Sequence, residues 1–264
     1  MSGRPPRFLW LFVIAVYALL LAPLVVVIAV SFGSTATFDF PPRGLTLRWY
    51  RAFFASETFV RSFFRVSQVV GLQTALVATV VGTLSAIGLV RLRFRGRDAI
   101  ETFFLSPLLV PHILLGAAVY LYLARLAWAT SSTTLLVGHI VIATPYVIRC
   151  VTAGLVGMDP RLEEAAMSLG ASRPQAFIKV TLPLLRSSLV TGAVFAFIIS
   201  FSDVYLALFI AGPTTITLPL RLFNYMEWEQ TPLVAAVSTV QVVLILAVMI
   251  IAEKVVGLSS AGRL

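Results

Sequence analysis

The sequence predicts an all-α integral membrane protein with six transmembrane helices and a helix-turn-helix loop on the cytoplasmic side. Three observations predict it. The 264 residues are 59% hydrophobic and only 12% charged, where a soluble domain carries about 25% charge. Apolar runs of about 20 residues, enough to cross a bilayer, recur along the chain. One polar and strongly patterned segment, residues 159–183, interrupts them. So few polar groups cannot cover the surface of a folded chain, and lipid must be its solvent.

The first span covers residues 8–32 and contains Pro23. Its apolar run is too long for the core of a signal peptide, about 7–15 residues, so it reads as a retained helix. The second span, 67–90, carries Gly71, Gly82 and Gly88, small residues that let helices approach closely. The third, 101–126, has Pro107 and Pro111 near its start, and the fourth, 135–156, contains Pro145. The fifth and sixth are 188–211 and 233–256. Proline is tolerated in such helices where neighbours satisfy the freed carbonyl. With no clear repeat or low-complexity tract, residues 1–264 read as a single membrane domain.

The net charge of +9 does not point to nucleic acid, because the basic residues sit between apolar runs, where they orient helices. With the N-terminus inside, Arg43, Arg48, Arg51, Arg61, Arg65, Arg125 and Arg221 fall outside. The other 13 of the 20 basic residues, Arg4 and Arg263 among them, fall inside. The bias puts both termini in the cytoplasm. The first outer loop, 33–66, holds an amphipathic stretch from Trp49 through Phe53, Phe54, Phe59, Phe63 and Phe64. It reads as a short helix, either at the membrane interface or packed on protein. Cys150 alone excludes an internal disulfide. His112 and His139 lack a matching carboxylate pattern and read as packing or hydrogen-bonding residues, with no metal site.

The segment 159–183 reads as two short helices joined by a turn. Asp159 suits an N-cap, Pro160 the first helical position, and Glu163 and Glu164 the positive end of the first helix. Gly170 suits a left-handed stop. Ser172, with Gln175 three residues on, spells a capping box, and Pro183 ends the second helix. The product is a compact knob with Ala165 and Ala166 on a small-residue side.

Glu164-Ala165-Ala166, then Gly170, then Val180-Thr181-Leu182-Pro183, resembles the EAA loop of ATP-binding-cassette import permeases. That family usually has Ile where this chain has Val180. The resemblance implies that Glu163, Glu164, Ala165, Ala166, Gly170, Leu182 and Pro183 couple the chain to a separate ATPase. It also implies two ATPase subunits that bind ATP and Mg, a second permease, usually non-identical, with a second copy of this chain as the alternative, and an extracytoplasmic solute-binding protein. The location implied is the bacterial inner membrane. The chain has no Gly-x-x-x-x-Gly-Lys-[Ser/Thr] loop, so no ATP site and no catalytic residue is expected in it.

Further on, Ser202-Asp203-Val204, Gly212-Pro213 and Leu218-Pro219-Leu220 are similar in order to the C-terminal part of spermidine/putrescine importer permeases and their opine-type relatives. This implies a polyamine as cargo, with opines, 4-aminobutyrate and aminoalkylphosphonates as alternatives. An ion-driven secondary transporter is the competing class, but it leaves the polar loop without a role. Asp203, inside the fifth span, is a candidate pathway residue with Tyr205, or else it pairs with an arginine or the backbone between helices. Glu227, Trp228 and Glu229 are candidate outer-loop contacts.

Overall fold

The computed structural model describes residues 7–126 and 130–260. Arg4 and Arg263, counted above toward orientation, lie outside the described residues. In chain order the helices are α1 (Arg7–Ser31), α2 (Arg48–Ala55), α3 (Glu57–Arg91), α4 (Arg97–Leu108), α5 (His112–Arg125), α6 (Ser132–Val156), α7 (Arg161–Ser168), α8 (Arg173–Leu184), α9 (Arg186–Ser202), α10 (Tyr205–Ile210), α11 (Leu218–Trp228) and α12 (Leu233–Ser260). By length and composition α1, α3, α6 and α12 can each cross a membrane. The pairs α4–α5 and α8–α9, bent by 107° and 65°, bring the number of spans to six when each pair counts as one.

Proline explains why one predicted span breaks and another does not. The third span, expected as one helix over 101–126, bends by 107° between α4 and α5. Pro107 sits in the tight 3-10 turn Ser106–Leu108, and Pro111 caps α5 in an extended conformation. Two prolines four residues apart remove two backbone donors within one turn, and the helix cannot run through. A lone Pro145 leaves α6 unbroken, and Thr144 beside it donates its hydroxyl to the Ile140 carbonyl at 2.7 Å. The fifth span, expected over 188–211, ends as a regular helix at Ser202. The chain turns at Asp203 and resumes as α10. The second span starts earlier than expected, and its residues Arg61–Ser67 form a wide π-turn.

The chain divides into two compact units. The first comprises Met1–Val60 and Leu222–Leu244. Its buried side chains include Val30, Trp49, Phe53, Phe59 and Leu222, together with residues 233–237. The Trp49 indole N–H donates to the Gly33 carbonyl at 2.8 Å, and Ser31 and Tyr50 share a hydroxyl hydrogen bond of 2.6 Å. The inner face of α2 is therefore packed on protein, while Phe54 points outward. Helix α1 is apolar, and its spanning window is unburied by the rest of the chain. Such a helix needs an apolar solvent or another chain.

The second unit comprises Arg61–Arg221 and Ile245–Leu264. Its centre is a bundle of α3, α6 and α9. Lipid tails are as apolar as leucine, so close packing holds these helices together more than hydrophobic exclusion does. Ala78, Ala86, Ala143 and Ala196 are fully buried at the contacts. A Cβ at Gly82 would sit 2.7 Å from that of Val147, so only glycine permits this approach. A polar chain ties the three helices: Ser200 donates to Thr74 at 3.3 Å and shares a 2.7 Å hydrogen bond with His139 Nδ1. A second apolar cluster joins Leu206, Ala207 and Ile210 of α10 to Val66, Val70, Leu135 and Ile142.

Candidate functional site

Two places in the second unit concentrate the predicted residues: the knob α7–α8 and the break at Asp203. The knob forms for local reasons. Asp159 accepts a hydrogen bond from the Arg161 N–H at 2.9 Å and starts α7. At its far end the Ala171 N–H donates to the Ala166 carbonyl (3.1 Å) and the Gly170 N–H to the Met167 carbonyl (2.9 Å). These are the two bonds of a Schellman stop, which requires a left-handed residue after the helix. Gly170 supplies it with φ +93°. Gln175 Oε1 then accepts from the Ser172 N–H at 2.9 Å, the reciprocal half of the expected capping box.

The second knob helix differs from expectation at its end. Pro183 does not stop it; α8 runs to Leu184 before the 65° bend into α9. Residues Phe177–Thr181 open into a π-turn just before the proline. A proline ring clashes with the carbonyl four residues back, here Lys179, and a widened turn relieves the clash.

The two neighbouring glutamates of the knob differ in surroundings. Glu163 is turned inward, its carboxylate 2.7 Å from Arg91 Nη2 at the end of α3, with side chains 21% and 31% exposed. Arg91 also reaches Thr181 Oγ1 at 3.4 Å, and its guanidinium lies 5.9 Å from the Phe177 ring centre. A cleft of about 300 Å³ separates the pieces, lined by Arg91, Pro160, Glu163, Glu164, Met167 and Arg173. Glu164, Ala165, Gly170, Leu182 and Pro183 are exposed, and Ala166 is half-buried. Leu169, at the apex, is 90% exposed, and Leu162 and Ile178 are also open. Reading the sequence missed Leu169 and Arg91. The apolar residue before Gly170 was a visible signal, because a large aliphatic side chain stands between Ser168 and Gly170 at the turn of the knob. The Arg91 pairing had no local signal at all.

At the break, Asp203 is 2% exposed in its side chain. Its Oδ2 accepts from the backbone N–H groups of Leu206 (2.9 Å) and Ala207 (3.2 Å), which makes it the cap of α10. Its Oδ1 lies 3.2 Å from His112 Nδ1, at the start of α5. Of the partners considered from sequence, the backbone is the one engaged, and His112 takes the place considered for an arginine. Two helix breaks, at Pro111 and at Asp203, are thereby tied to each other. Tyr205, two residues on, is 55% exposed.

The outer-loop residues belong to the first unit. Trp228 is 87% exposed at the end of α11, and Glu227 is exposed beside it. Glu229 is held by the Tyr225 hydroxyl at 2.5 Å. Partial burial and the nearby Glu229 carboxylate raise the Tyr225 hydroxyl above its ordinary range.

The chain matches the family model described as "Binding-protein-dependent transport system inner membrane component" over residues 78–256. It is 31% identical to the spermidine/putrescine transport system permease protein PotC of Haemophilus influenzae, covering 92% of this chain and 94% of that one. It is 29% identical to the putrescine transport system permease protein PotI of Escherichia coli, over 84% and 81%. Its fold is similar to that of a bacterial alginate ABC transporter, solved in complex with an alginate-pentasaccharide-bound periplasmic protein (TM-score 0.70, 15% identity, 94% and 92% covered). It is also similar to the MetNI methionine ABC transporter in an inward-facing conformation (TM-score 0.61, 21% identity, 76% and 97% covered).

Proposed function

Because the chain belongs to the family of inner-membrane components of binding-protein-dependent transport systems, we propose that it forms half of an ATP-driven import pathway for a polyamine, spermidine or putrescine. One observation carries the mechanism: a knob locked by caps at both ends presents Glu164, Ala165 and Leu169 outward between two membrane-spanning helices. The relatives carry the cargo, since along most of the chain they are a spermidine/putrescine permease and a putrescine permease. The fold does not select it, because similar folds serve alginate and methionine transporters.

In this reading the knob docks on one of two ATPase subunits, which bind ATP and Mg and carry out the hydrolysis. Glu164, Ala165, Ala166 and Gly170 shape the docking face, and Leu182 and Pro183 hand the knob on to α9. A second, non-identical permease completes the pathway. Both termini face the cytoplasm, in keeping with the excess of basic residues assigned inside. The outer side meets the binding protein, with Glu227, Trp228 and Glu229 as contacts. ATP binding closes the ATPases, the knobs move together, and the pathway opens outward; hydrolysis resets it. Tyr205 is the exposed pathway candidate, and Asp203 supports it from behind by holding the turn into α10.

The test is ATP hydrolysis by the purified complex in lipid, with and without the binding protein loaded with spermidine or putrescine. Stimulation by the loaded protein supports the reading. Stimulation only by another loaded solute keeps the importer and removes the polyamine in favour of an opine, 4-aminobutyrate or an aminoalkylphosphonate. Absence of any co-purifying ATPase reopens an ion-driven mechanism.

A further inference from the structure

The knob must do two things: bind a partner and move the membrane helices. The first is a matter of exposed residues. The second needs a rigid path from the knob into a helix that crosses the bilayer, and α7 packs against its partner helix α8.

Resting on the reading of the knob as the coupling element, we propose that Arg91 is the positioning residue that makes the knob and α3 one body. It stands at the last residue of a 35-residue membrane-spanning helix. From there it reaches both helices of the knob: Glu163 of α7 at 2.7 Å, and Thr181 of α8 at 3.4 Å, with the Phe177 ring beside its guanidinium. The planar guanidinium offers several fixed donors and a stacking face at once, which a lysine ammonium does not. The pair sits at a partly open surface, with the Glu163 side chain 21% and the Arg91 side chain 31% exposed, and its hydrogen bond is charge-assisted. Thr181 is fully buried, so the strut ends on a fixed point.

Two contrasts single Arg91 out. It is followed by Arg93, Arg95 and Arg97, yet among the described residues none of those three forms an ion pair. A merely orienting basic cluster would not distinguish its first member. Glu163 and Glu164 are adjacent on one helix and therefore point about 100° apart. Glu163 meets the strut and Glu164 is left for the partner. Adjacent glutamates thus divide the work, one toward α3 and one toward the ATPase.

The test uses the complete complex in lipid, with Cys150→Ala and spin labels at Leu84 on α3 and Ile178 on α8, both exposed positions. Distances are measured without nucleotide and with ATP and vanadate. The unaltered strut gives one narrow distance in both states. Arg91→Ala broadens the distribution and makes it nucleotide-dependent, Arg91→Lys does so partly, and the exchange Arg91→Glu with Glu163→Arg restores the narrow distance. An Arg91→Ala complex as narrow and as insensitive to nucleotide as the parent overturns the proposal, and so does an exchange variant no better than Arg91→Ala. Co-purification of the ATPase with Glu164→Lys separates the two ideas. Full retention there overturns the coupling reading, whereas a lost ATPase with an intact distance pattern upholds it independently of Arg91.

Discussion

The knob and the Asp203 break use the same functional group for opposite purposes. In the knob, carboxylates sit at a partly open surface: Glu163 in an ion pair and Glu164 free to face a partner. At the break, Asp203 is almost wholly enclosed, and its oxygens are taken by two backbone N–H groups and a histidine. A carboxylate in a membrane protein is often read as a site for cargo. Here, exposure and partner count separate a docking acid from a capping acid. The caps of the knob tie down a loop; the cap at Asp203 ties down a break in a span.

That difference predicts unequal consequences. Asp203→Ala leaves two buried N–H groups without an acceptor and His112 without its partner, a loss of about 2–5 kcal/mol. The expected result is a marked fall in the thermal stability of the complex in detergent, with ATPase association of whatever folds unchanged. A variant as stable as the parent would mean that the break is held by packing alone. Glu164→Lys should do the reverse: normal membrane insertion and thermal stability, but ATPase co-purification reduced by about tenfold or more through charge reversal at the docking face. If full association and uptake survive, Glu164 has no coupling role.

Smaller effects sharpen the contrast. Gly170→Ala forces a side chain into a left-handed turn and should cost about 1 kcal/mol of local order in the knob. Hydrogen exchange should rise across residues 161–184 while the global unfolding temperature stays within a degree or two, since the knob lies outside the bundle. Asp203→Asn keeps an acceptor oxygen for the α10 cap and loses the charge facing His112. It should lower stability by only about 0.5–1.5 kcal/mol, well short of the alanine variant. Equal losses for Asn and Ala would shift the weight from the cap to the His112 pairing. Trp228→Ala should leave stability unchanged and reduce stimulation by the binding protein, read as ATP hydrolysis against binding-protein concentration.

The knob was legible in the sequence because its determinants are local. Asp159, Gly170, and Ser172 with Gln175 act on neighbours within five residues, and spacing alone reveals them. Membrane residence was legible for a similar reason, since a run of apolar residues states its own solvent. The lengths of the third and fifth spans were less legible. Pro111 was visible, yet Pro145 was equally visible and leaves its helix whole. The difference lies in the pairing of Pro111 with Pro107 four residues earlier, where Pro145 stands alone.

Composition and spacing by themselves determined that the chain crosses a membrane, that a polar knob divides its later spans, and where that knob starts and turns. Only the tertiary structure decided that Asp203 caps α10 and pairs with His112, 91 residues away, and that Arg91 meets Glu163, 72 residues away. The physical reason is range. A helix cap or an apolar run is satisfied within a turn or two of the chain. The partner of a buried carboxylate or of a helix-end arginine is whichever group the packed bundle brings within hydrogen-bonding distance, and no local spacing encodes that.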